Sequence, residues 1–146
     1  MTDGWQVSET TTHQDHVIAH VLGAKVLGYI VLDETLFLLL DIGFVWSVFL
    51  DCEMGLMPHP VAIGELEVPE SLKTEIKADI DLLLTGGSDA GLLRLNQPAV
   101  ECQINEVSFF EHGEQRRLII TGDEASLTIE TSLKTAEIKV HEHARR

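Results

Sequence analysis

Residues 26–50 read VLGYIVLDETLFLLLDIGFVWSVFL, and the way this stretch divides decides the fold. It is apolar enough to suggest a membrane span. However, His20, Lys25, Asp33, Glu34, Asp41 and Asp51 interrupt it and its flanks every few residues. A spanning helix needs about 18 or more apolar residues without such breaks. The pieces between the breaks are strand-length: Val26–Leu32, Leu36–Leu40 and Phe44–Leu50. Asp33-Glu34-Thr35 is a hairpin-length connection, and Asp41-Ile42-Gly43 is the next punctuation. In the third piece Phe44, Trp46, Val48 and Leu50 alternate with Val45 and Phe49. Both faces are therefore apolar, as in an interior strand covered on both sides. The cover for the second face is either a helix or a second copy of the chain.

Downstream, residues 52–60 contain Pro58 and Pro60, each lacking a backbone donor. They exclude a central strand and read as a long connection. Val61–Val68 alternates like a strand. Leu72, Ile76, Ile80 and Leu83 then recur at helical spacing, with Pro69 or Glu70 in the first turn and Gly86-Gly87 at the end. This predicts one amphipathic helix over roughly residues 70–85, packed on the sheet. Residues 86–98 read as loop with a short strand at Leu92–Leu95. Alternation resumes through Val100, Cys102 and Ile104. It shifts phase near Asn105-Glu106, as at a bulge, before Val107 and Phe109. Strands follow at Leu118–Thr121, Leu127–Thr131 and Ala136–Val140, with turns at His112-Gly113-Glu114 and Gly122-Asp123-Glu124.

Upstream, Asp15–Leu22 fits either a helix or a strand, and its β-branched content together with Gly23 favours strand. Residues 1–12 read as a frayed arm or edge strand, and the charged segment 141–146 as a mobile tail. The expected fold is α+β, mostly β. It is a single domain over residues 1–146, an antiparallel meander of about seven to nine strands carrying one helix.

Composition narrows the partners. The chain has 146 residues, 45 % of them hydrophobic, and a formal charge of −14. Up to Pro69 the only Lys or Arg is Lys25, against ten Asp and Glu; from Glu70 onward nine basic residues face fourteen acidic ones. A field of this sign repels phosphate backbones and anionic lipid, so neither nucleic acid nor membrane is an expected partner. Two cysteines, Cys52 and Cys102, are too few for a disulfide framework and have no zinc spacing. Reduced, buried thiols in a cytoplasmic protein are the expectation. The first residues lack the basic and apolar regions of a signal peptide.

No constellation in the chain makes a catalytic site, and no cofactor is expected. Cys52 with His59 lacks the electropositive setting that a reactive thiolate needs. Gly86–Gly91 follows a helix, lacks Lys and contains Asp89, so it is a helix stop and not a phosphate loop. Glu53, Glu65 and Glu67 read as solvated carboxylates. His13, His16 and His20 are the metal candidates, with His16 and His20 the pair that both readings of this segment keep together. They lack the Glu that zinc proteases place beside the first His. Phe44, Trp46, Met54, Met57 and His59 are the candidate interface, being aromatic and Met side chains beside a Pro-rich stretch.

These features point to a non-enzymatic interaction protein, either self-associating or bound to a protein partner. An acidic inhibitor of a basic protein is one variant of that reading. The competing expectations are a metal-binding protein or metal-dependent hydrolase using His16 and His20, and a small-molecule domain with its pocket between sheet and helix.

Overall fold

The apolar runs pair in the order in which they occur. In the computed structural model, residues 4–9, 12–32, 34–42, 45–51, 55–61, 68–85, 91–98, 100 and 102–144 are described. The elements in chain order are β1 (Gln6–Val7), α1 (Thr12–Val21), β2 (Lys25–Leu32), β3 (Thr35–Leu40), β4 (Val45–Asp51), β5 (Gly55–Val61) and α2 (Glu70–Leu84). Then come β6 (Cys102–Gln103), β7 (Glu106–His112), β8 (Gln115–Thr121), β9 (Ala125–Ser132) and β10 (Lys139–Ala144).

The strands form two antiparallel sheets, not one meander. Sheet A has the order β1-β7-β8-β9-β10, and sheet B the order β5-β4-β3-β2-β6. Each sheet consists of four long strands with a two-residue strand, β1 or β6, on one edge. After α2 the chain adds β6 to the β2 edge of sheet B, and it passes to sheet A between β6 and β7, where alternation resumes in a new phase while the sheet changes.

One core lies between the sheets. Val26, Leu36, Leu38, Leu40, Trp46 and Val48 from sheet B meet Phe109, Leu118, Ile120, Leu127 and Ile129 from sheet A. The opposite face of sheet B, with Ile30, Leu39 and Val45, packs against Ile76, Ile80 and Leu83 of α2. On the second face of β4, Val45 lies against the helix, and the layers run sheet A, sheet B, α2. The apolar stripe of α2 falls where its spacing predicts. The stripe also holds Asp79, a buried acid that the spacing does not announce.

A bulge in β2 sets which side chains look which way. The pairing of β2 with β3 shifts between Val26 and Gly28. Leu27 and Gly28 both turn toward α2, where a Cβ on Gly28 would stand 2.8 Å from Leu83 Cδ1 and 3.2 Å from the Asn96 carbonyl oxygen. The extra residue flips the phase, so Tyr29 faces sheet A and Ile30 faces the helix.

Several sequence expectations are corrected. Residues 12–21 are helix, not strand. Val17 and Val21 lie on one helical face and enter the core between the sheets, and this burial outweighs their β propensity. Gly23 takes φ +90° and ends the helix, its N–H donating to the Ile104 carbonyl at 2.7 Å. There are therefore two helices among the described residues. Residues 55–61 are strand β5, not connection. β5 is an edge strand, where Pro58 and Pro60 are tolerated, and a central strand is absent there as the two prolines require. The charged segment expected as a mobile tail is paired strand through Ala144. Residues 6 and 7 form the edge strand β1. The expected Val61–Val68 strand falls outside the described residues between 62 and 67, and Leu92–Leu95 is not strand; Asn96 makes a single bridge to Tyr29.

Candidate functional site

Sheet A has one face in the core. On the other, no described element covers it. Register places Val7, Phe110, Arg117, Glu130 and Lys139 in one row across that outer face, because directly opposed residues share a side. Arg117 is the centre of the row. Its Nε and Nη2 both donate to Glu130 Oε2, at 2.8 and 2.5 Å, and its guanidinium lies 3.9 Å from the centroid of the Trp5 ring. Trp5 meets His112 edge-on, with centroids 5.5 Å apart. His141 Nε2 approaches the other oxygen of Glu130 at 3.4 Å.

A depression of about 250 Å3 opens beside this cluster, lined by Trp5, Gln115, Glu130, Ser132, Glu137 and Lys139. A planar aromatic, a fixed guanidinium and groups of both charges make a surface suited to recognition. Arg117 is held by Glu130 and by the indole, so it loses little freedom on meeting a partner.

The other candidates are distributed as follows. His16 and His20 are exposed on α1, their ring centroids 5.1 Å apart. Nδ1 of His20 lies 2.9 Å from the His16 carbonyl oxygen. Donation from Nδ1 leaves Nε2 as the acceptor, the tautomer a metal-bound imidazole takes. No third His, Cys, Asp or Glu joins them among the described residues. The His13 side chain lies outside those residues.

Trp46 is wholly buried between the sheets, and its Nε1 has no acceptor among the described residues. It is part of the core and presents no surface. Met57 and His59 lie on β5, with their side chains outside the described residues, as are Phe44, Met54, Cys52, Glu53, Glu65, Glu67 and residues 86–90. Cys102 is buried, and burial pushes its thiol up to about 11. The space between α2 and sheet B is filled by side chains, leaving a void of about 10 Å3. That is room for no more than about one water. No helix of the described residues is long and apolar enough to cross a membrane.

Sequence reasoning missed Trp5, Arg117 and Glu130. Trp5 sits in a polar segment without periodicity, and the Arg117–Glu130 pair exists only in the register of β8 with β9. No family model matches the chain, and neither a curated protein nor a solved structure matches it.

Proposed function

We propose that the chain is a non-enzymatic protein-interaction domain that engages a protein partner, or a second copy of itself, through the outer face of sheet A. The observation that carries this reading is the Trp5–Arg117–Glu130 cluster on a face that no described element covers. Trp and Arg are the residue types that dominate binding energy at interfaces, and they do so where they are held rigid beside a concavity. The formal charge of −14 disfavours non-specific association between copies.

The test compares the wild-type chain with Trp5→Ala, each measured for mass in solution over a range of concentrations and each used as bait. Association that weakens about thirtyfold in the variant, roughly 2 kcal/mol, supports the reading. Association indifferent to Trp5 contradicts it.

A second reading has its own observation. Helix α1 brings His16 and His20 together at i, i+4, with His20 Nδ1 tied to backbone. Two imidazoles and water would hold a borderline divalent ion such as zinc or copper. Elemental analysis of tag-free protein checks it: about one ion per chain, lost in His16→Ala, supports it, and none sinks it.

A further inference from the structure

Four strands end the two sheets, and three of those edges are closed or short. On β5, Pro58 and Pro60 have no N–H to offer an incoming strand. On β6, two residues pair with β2, and Asn96 exchanges both backbone hydrogen bonds with Tyr29 at 2.8 Å. On the β1 side, residues 6–8 occupy the edge of β7 over Phe109–Glu111, ending in the bond from Ser8 N–H to the Phe109 carbonyl. β10 differs: six residues pair with β9 on one side and with no described residue on the other. Every second residue of β10 therefore points its N–H and C=O outward.

The chemistry of this edge is distinct within the chain. β10 reads KVHEHA and is followed by Arg145 and Arg146, the most basic stretch of an acidic sequence. Lys139, His141 and His143 share the outer side, in register with Glu130, Thr128 and Ser126. The one carboxylate of the strand, Glu142, is turned the other way and accepts the hydroxyl hydrogen of Tyr29. On that inner side, next to the edge, a crevice of about 120 Å3 is lined by Pro98, Val100, Leu127 and Ala144 among others.

We infer that β10 is the site where an extended acidic segment of a partner adds as a further strand of sheet A. Its acids would alternate with apolar residues, the acids facing Lys139 and His141 and an apolar side chain entering the crevice. The inference rests on the interaction reading above and names the partner's chemistry. Main-chain bonds supply affinity in such an addition, and the alternate side chains supply selectivity. A second copy fits this edge poorly. Of the two antiparallel registers that pair most of the strand with itself, one sets Lys139 against His143 and the other sets Glu142 against Glu142. The net charge of −14 does not decide against an acidic segment. At about 0.1 M salt, charges more than about 10 Å away are largely screened, and Glu130, the acid opposite Lys139, is already paired with Arg117.

The test uses two short fluorescein-labelled peptides, one of alternating Glu and Val and one of alternating Lys and Val, titrated with the full chain. The Glu/Val peptide is expected to bind saturably, to slow amide exchange over residues 139–144, and to weaken with added salt. Lys139→Glu is expected to weaken it about tenfold. Ala144→Trp, which fills the crevice and leaves the charges in place, is expected to weaken it as well; circular dichroism confirms that both variants fold. Equal binding of the two peptides, or no binding of the Glu/Val peptide at low salt, overturns the inference. So does amide protection away from β10. If β10 stays silent while Trp5→Ala still abolishes association, this inference fails and the domain reading stands. If β10 responds as described while Trp5 has no effect, the outer-face reading fails and the edge site stands.

Discussion

The hydroxyl of Tyr29 on β2 donates to the carboxylate of Glu142 on β10, joining sheet B to sheet A across 113 positions of sequence. Tyr29 can reach Glu142 because the bulge before it turns the ring away from α2 and toward the other sheet. Burial, then the hydrogen bond to Glu142 and then its negative charge, raise the phenol well above its ordinary value of 10.0.

A pH dependence follows from that shift. The unfolded chain gives up the phenolic proton from about pH 10, whereas the native chain keeps it. The stabilisation is therefore whole below pH 10 and is lost as the pH climbs toward the native value. Tyr29 is the single tyrosine of the chain, so tyrosinate absorbance reads it without ambiguity. The native protein should resist ionisation past pH 10, and Glu142→Gln should bring the titration part of the way back. Tyr29→Phe should cost about 1 kcal/mol in urea unfolding at neutral pH.

Asp79 should be the most sensitive polar position of α2. It is 1 % exposed, and it accepts backbone N–H groups from Leu93 at 2.8 Å, Arg94 at 2.6 Å and Leu95 at 2.8 Å. Arg94 also grips Glu75 on the same helix at 3.0 Å. Asp79→Ala would strand three amides, at a cost of about 3 kcal/mol. Urea unfolding measures the loss, and amide exchange should rise at residues 93–95. Glu75→Ala, which breaks an exposed pair, should change stability by under about 1 kcal/mol.

Cys102 should be inert in the folded chain. It is 0 % exposed, and its thiol, pushed up to about 11, stays protonated at neutral and mildly alkaline pH. Alkylation at pH 8 followed by peptide mapping should leave Cys102 unmodified in native protein and label it in urea.

How much of this was legible in sequence depends on what alternation encodes. It marks which residues face inward, and so the strands from Val26 to Leu40 and from Glu106 to Thr131 are readable, as is the stripe of α2. It does not say which sheet a strand joins, so two sheets read as one meander. Helix α1 reads as strand because Val17, Ile18 and Val21 favour strand locally, and only their burial against the core reverses that. The candidate site was the least legible part. Arg117 and Glu130 are thirteen residues apart and meet through strand register, and Trp5 joins them because β1 pairs with the far end of β7. Trp46, the most conspicuous aromatic of the sequence, is core for the same reason: its neighbours on β3 put it between the sheets.

Arg117→Ala should separate binding from folding. The side chain is partly exposed and paired with Glu130 at 2.5 Å, so its loss should cost about 1 kcal/mol of stability or less. It should weaken association by at least tenfold, since it also removes the support under Trp5. Thermal unfolding and the solution mass of the same sample read the two effects.

The central claim is tested most directly by retention of binding proteins on immobilised wild-type chain, side by side with a folded Trp5→Ala, Arg117→Ala double variant, identified by mass spectrometry. The account predicts a small set of proteins, or the chain itself, held by the wild type and released by the variant. The same set held equally by both would contradict it.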